Sequence, residues 1–193
     1  MATTPNKVKY NLKNVHYAKI TAEVDGVPTY AAPVRIPGAV SLSMDQQGEI
    51  SKFNADGVVY WQAQSNNGYE GDLEIALVPD SFRQDILGET LDTEKKILTE
   101  NAAATGSPFA LLFEFDGDAH GIRHVLYNCS STRPGLNGKT KEDSIEPDTD
   151  TLTLSAVPLA DGSVKSSTTA DTPTATLDAW YTAVQLPTPA AAG

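Results

Sequence analysis

The sequence predicts a mainly β fold: two packed antiparallel sheets, sandwich- or barrel-like, with one or two short helices. Three observations carry that expectation. Turn formers are frequent, with 14 Gly and 12 Pro in 193 residues. Long runs of helical periodicity are few. Many short segments alternate apolar and polar side chains or are rich in β-branched and aromatic residues, and Asp-Gly turns separate them. A chain of this length, 40% hydrophobic and 20% charged, can bury a sizeable core as a single domain, 1–193.

Residues 1–14 mix Pro, Asn and Lys with little periodicity and read as an extended N-terminal arm. Residues 15–24 (VHYAKITAEV) form the first strand, Asp25-Gly26 its turn, and 34–36 the return strand. Val40, Leu42 and Met44 alternate with Ser41 and Ser43, a half-buried strand. Segments 50–54 and 58–64 flank Asp56-Gly57, and in 69–78 Leu73, Ile75 and Leu77 alternate with Asp72, Glu74 and Ala76. A helix follows: Pro79 and Asp80 suit its start, Ser81 and Gln84 can form a capping box, Gly88 suits its stop, and Phe82 and Ile86 share a face. Segment 91–101 carries both a helix-cap pattern at Asp92-Thr93-Glu94 and a strand pattern at Ile97-Leu98-Thr99; strand is the preferred reading.

Segments 109–115 (FALLFEF) and 122–129 (IRHVLYNC) flank Asp116-Gly117-Asp118 as the central hairpin of a sheet. Residues 132–147 form a long polar loop, of the kind that in a compact domain usually carries function or is disordered. Strand alternation resumes over 149–157, and 164–169 follows the Asp161-Gly162 turn. Leu177, Trp180, Tyr181 and Val184 fall at helical spacing, and 186–193 is a flexible C-terminal tail.

Lys+Arg 14 against Asp+Glu 25 gives a net charge of -11, which offers no phosphate-neutralising surface and disfavours direct nucleic-acid binding. One cysteine, Cys129, excludes an intrachain disulfide and a Cys-based zinc site, and a buried structural thiol is its expected fate. Without a leader-like apolar stretch or a run of about 18 apolar residues, the expectation is a soluble chain made in a cytoplasm, with no membrane partner.

The chemistry-bearing constellations are weak. His120 and His124 share one strand face but lack a third ligand, and Asp116 and Asp118 do not complete an oxygen-rich calcium loop. Glu70, Asp72 and Glu74 line a strand face that is most simply a solvated one. No nucleophile elbow, phosphate loop or dinucleotide fingerprint is present. The chain is therefore not expected to be an enzyme, with no catalytic residue, metal or cofactor. The polar arm, the long loop and many strands with open-edge risk instead suit an assembly protein, because neighbouring copies can complete edges and loops.

Five segments, in order and spanning most of the chain, resemble the major tail protein family, the tail tube subunits of long-tailed siphophages and prophages. They are KYNLKNVHYAKI (9–20), IPGAVSLSMD (36–45), SNNGYEGDLEIALVPDSFRQDILGE (65–89), PFALLFEFDGDAHGIRHVLYNC (108–129) and TKEDSIEPDTDTLTL (140–154). The resemblance implies a non-enzymatic virion protein of the phage tail, made in the host cytoplasm. Its subunits would close into rings of six that stack into a hollow tube. The family further implies tape-measure, tail-tip and terminator proteins as partners, and DNA that passes without specific binding. Carboxylates facing the bore would repel phosphates instead of exchanging counterions with them; which ones face inward is not legible in the sequence.

Subunit contacts are assigned to the loop, through Lys139, Lys141, Glu142, Asp143 and Glu146, and secondarily to the arm. Two other readings compete. One is a β-sandwich binding module, a receptor or carbohydrate adhesin, with Tyr60, Trp61 and Tyr69 as its platform; the other is a metal-dependent enzyme using His120 and His124.

Overall fold

The computed structural model describes residues 7–118, 121–140 and 147–187. The described chain is mainly β and antiparallel, as expected, with two short helices. The principal strands are β1 (Lys7–Val24), β2 (Val27–Tyr30), β3 (Val34–Arg35), β4 (Ala39–Gln47), β5 (Ile50–Ala55), β6 (Val58–Gln64) and β7 (Gly68–Ile75). After helix α1 (Asp80–Asp85) come β8 (Thr90–Asp92), β9 (Ile97–Thr99), β10 (Phe109–Asp118), β11 (Arg123–Ser131), β12 (Asp150–Ala156), β13 (Lys165–Ser167) and helix α2 (Thr174–Ala179).

One nine-stranded sheet runs β2-β1-β10-β11-β12-β7-β4, with β13 on β11 and β3 on β1; β5-β6 and β8-β9 are separate two-stranded sheets. The large sheet curls until β4 approaches β1, but the two do not pair, so no barrel closes. Lys7–Asn14, assigned to the arm by sequence, is part of β1 and pairs with β10. Its irregularity has a local cause: Asn11 and Asn14 both sit at φ 52, a conformation asparagine tolerates, and the ladder shifts register around them. The return strand after Asp25-Gly26 is split into β2 and β3, both paired with β1, with Pro33 between them.

The run FALLFEF is apolar at nearly every position because β10 is covered on both faces. Phe109, Leu111 and Phe113 join Tyr17, Leu73, Ile75, Leu152 and Leu154 in one core, which α1 caps with Phe82 and Ile86. Ala110 and Leu112 join Val125 and Tyr127 in a second core on the opposite face, covered by Trp180 and Val184 from the C-terminal segment. The period of two thus divides one strand between two cores.

The helix α1 forms where expected, but the capping box does not. Its N-cap is Pro79, so Ser81 lies inside the first turn, too deep to cap, and Gln84 Nε2 donates to the Asp80 carbonyl at 3.1 Å instead. Segment 91–101 resolves as strand, in the β8-β9 hairpin. Residues 132–140 and 147 of the long loop hold neither helix nor strand, and the strand expected from 149 begins at Asp150.

A polar cluster fastens the C-terminal segment to the sheet. Glu114 on β10, 7% exposed, accepts from Asn14 Nδ2 at 2.9 Å and Tyr181 Oη at 3.0 Å, and pairs with Lys13 and Arg123 at 3.3 Å each. Arg123 also donates to the Leu177 carbonyl and lies over the Tyr181 ring, while His16 stacks on that ring at 4.6 Å. A buried carboxylate this fully partnered defines where the segment docks.

Candidate functional site

Two surfaces stand out, both built on the β4–β7 region. The first is the β5-β6 hairpin. Asp56 and Gly57 make its turn, and Phe53 lies opposite Trp61 across the ladder. Phe53 meets Tyr60 edge-to-face at 6.4 Å. Both faces are open to solvent: Phe53 is 58%, Tyr60 72% and Trp61 55% exposed, and Ile50, Val58 and Val59 are exposed with them. The hairpin leaves the body where β4 ends and β7 begins, at Gly48 and Gly68. At Gly68, with φ 105, a Cβ would stand 1.9 Å from the Ala156 carbonyl oxygen, and at Gly48 one would stand 2.2 Å from that of Ser65. Only glycine fits either pivot.

An isolated two-stranded hairpin is marginal in water, and this one exposes an apolar area that ordinary monomers keep small. Sequence patterning found both strands. It could not show that they project from the sheet, because β-branched and aromatic runs look alike in a core and at an interface.

The second surface is the outer face of β4, β7 and β12. Pairing places Asp45 opposite Glu70, Ser43 opposite Asp72 and Ser41 opposite Glu74, and on the other side of β7 it places Ser155, Thr153 and Thr151 opposite the same three acids. Thr153 Oγ1 donates to Asp72 at 2.8 Å; Thr149 Oγ1 and Ser41 Oγ donate to the two oxygens of Glu74 at 2.7 and 2.9 Å. The Thr149 hydrogen bond, then that of Ser41, holds the Glu74 carboxyl below its usual range. Among the described residues no Lys, Arg or His pairs with Asp45, Glu70, Asp72 or Glu74. The result is a ledge of hydroxyls and carboxylates without a paired cation among the described residues, and it contains the carboxylate row that the sequence placed on one strand face.

The remaining sequence candidates separate. Tyr60 and Trp61 are on the hairpin, whereas Tyr69 is half-buried on β7 under the Lys165 ammonium, 4.5 Å from the ring centre, so the three form no common platform. His124 stacks on Phe113 at 5.2 Å and burial lowers its pKa; His120 lies outside the described residues. No group of three or more potential metal ligands occurs among the described residues. Cys129 is fully buried and its thiol is pushed up to about 12 by burial. Lys139 is exposed; Lys141, Glu142, Asp143 and Glu146 lie outside the described residues. Asp116 forms an ion pair with Lys13 and accepts from Asn11 at 2.7 Å, which lowers its pKa and commits it to the sheet. No described helix is long and apolar enough to cross a membrane.

The chain matches no family model and no curated protein. Among solved structures it is similar to a chain of the anti-feeding prophage (AFP) baseplate, determined by cryo-EM with 6-fold symmetrisation. The TM-score is 0.46 and the identity 10%, over 89% of this chain and 99% of that one.

Proposed function

We propose that the chain is a structural, non-catalytic subunit of a phage-tail-like particle, a tail tube protein whose copies close into rings of six and stack into a hollow tube for DNA. The observation that carries this reading is the β5-β6 hairpin. Its apolar side chains meet one another but, among the described residues, stay more than half exposed, and burying a residue of this size against another copy is worth about 1.5–3 kcal/mol. A handful of such residues per contact, repeated around a ring, suffices for a stable assembly. The five tail-tube-like sequence segments and the fully exposed Leu136 on the long loop support the same reading.

The carboxylate ledge supplies the bore. A wall of Asp45, Glu70, Asp72 and Glu74 repels phosphate at close range, and the hydroxyls of Ser41, Thr149 and Thr153 are engaged with its carboxylates. Sixfold repetition multiplies that field.

Replacing residues 48–67 by Asn-Gly tests the reading. Gln47 faces Gly68 across the ladder, so a two-residue turn joins β4 to β7 without changing their register. The shortened chain should still unfold in one cooperative transition yet sediment as a monomer at concentrations where the parent assembles. Assembly equal to the parent's would defeat the proposal.

A further inference from the structure

Where the large sheet curls and β4 approaches β1, a cavity of about 200 Å³ opens, with lining residues from β1, β4, β7, β10, β11 and β13. The period of two explains its apolar walls. Leu42 and Met44 fall on one face of β4, Phe113 and Phe115 on one face of β10, and all four line the cavity. With His124 of β11 the two phenylalanines form a cluster of rings whose centres are 5.2, 5.6 and 5.9 Å apart, and Tyr69 of β7 adds a fourth ring to the lining.

The charged groups here have the sign opposite to the chain's net -11. Lys9 and Lys165, both exposed, line the same cavity, Lys9 5.4 Å from the centre of the Phe115 ring and Lys165 4.5 Å from that of Tyr69. Among the described residues neither forms an ion pair with a carboxylate, and no Asp or Glu lines the cavity. Burial, then the charges of Lys165 and Lys9, lowers the His124 pKa, so both ammonium groups act on the cavity wall and the neutral imidazole is favoured there.

A pocket of rings with two cations and no counter-charge is complementary to an anion with an apolar body. Its volume limits the size of that body. A cavity of about 150 Å³ lined by Leu, Ile and Phe holds benzene, so this one has room for a benzene ring and a short side arm. Aromatic walls favour an aromatic guest through offset and edge-to-face contacts, and each ammonium has three N–H donors to offer a carboxylate.

We propose that the cavity is a binding site for a small aromatic carboxylate, its ring seated among Met44, Phe113 and Phe115 and its carboxylate turned outward to Lys9 and Lys165. The site is complete within one chain, so its test and that of the tail tube reading fail separately.

Met44 reports on the site directly, because the chain has only two methionines, Met1 and Met44. Full-length chain labelled with carbon-13 at the methionine methyl groups is titrated with 3-phenylpropionate, and the signal missing from M44L is assigned to Met44. That signal should shift saturably, with a Kd of about 1 mM, ordinary for so small a ligand. The neutral analogue 3-phenylpropanol should bind roughly tenfold more weakly or worse. K9Q/K165Q should lose a similar factor for the carboxylate, whereas K9R/K165R, which keeps both charges, should retain most of the parent's affinity. A Met44 signal that 3-phenylpropionate leaves in place, equal binding of the alcohol, or unchanged binding by K9Q/K165Q would each overturn the proposal.

Discussion

Asp45 on β4 and Glu70 on β7 stand directly opposite each other across the ladder, with no cation paired to either among the described residues. Like charges directly opposite destabilise a sheet, so this pair opposes the subunit's own stability. Neutralising one member, Asp45→Asn, should raise the subunit's melting temperature at low salt, and the gain should shrink as salt is added. Thermal melts at two ionic strengths check this. The same substitution should slow DNA release from particles built with the variant, since it removes one charge per subunit from the proposed bore.

The hairpin aromatics are predicted to matter between chains and not within one. Phe53→Ala and Trp61→Ala should each leave monomer stability within about 0.5 kcal/mol of the parent by denaturant unfolding, because neither side chain touches the cores. Both should weaken assembly measured by light scattering. By contrast, Phe82→Ala empties a site between Tyr17 and Phe109 and should cost about 3–5 kcal/mol.

Glu114 should behave as a structural anchor. Glu114→Ala leaves Arg123 and Lys13 without their buried partner and releases Tyr181, at a cost of about 3 kcal/mol. Tyr181→Phe removes a single hydrogen bond to the carboxylate and should cost about 1.5 kcal/mol. Faster proteolysis near α2 in the first variant, relative to the second, would mark the loss of docking.

Stability should also fall on mild acidification, partly through His16. Burial is the main cause holding its pKa below the ordinary 6.5; the Asn14 carbonyl, to which Nδ1–H donates, and Glu114 oppose that shift, and Arg35 adds to it. The unfolded chain therefore binds a proton that the folded chain resists, and the stability present above pH 6.5 is lost as pH drops below it. His124 shifts in the same direction. Denaturant midpoints at pH 7 and 5 should converge in His16→Asn compared with the parent, since asparagine keeps the donor without the titration.

Much of the fold was legible because period-two patterning is local. Leu73 and Ile75 against Asp72 and Glu74 announced both the core face and the ledge, and Phe82 with Ile86 announced the helix cap over the core. What stayed hidden depends on which elements meet. The run Val58–Gln64 has the composition of a buried strand, yet it lies exposed in a hairpin flanked by the glycine pivots at 48 and 68. Tyr69 resembled a surface aromatic until β13 brought Lys165 over it, and the cavity beside it draws on strands from Lys9 to Ser166, too far apart for any spacing rule. Lys13, inside what composition marked as an arm, is instead tied by ion pairs to Glu114 and Asp116.

Electron microscopy of the purified chain across a concentration series tests tube formation most directly. Hollow rings with sixfold class averages, stacking into tubes as concentration rises or when tail tips are added as seeds, are the predicted result. A single monodisperse species at every concentration, seeded or not, would contradict it.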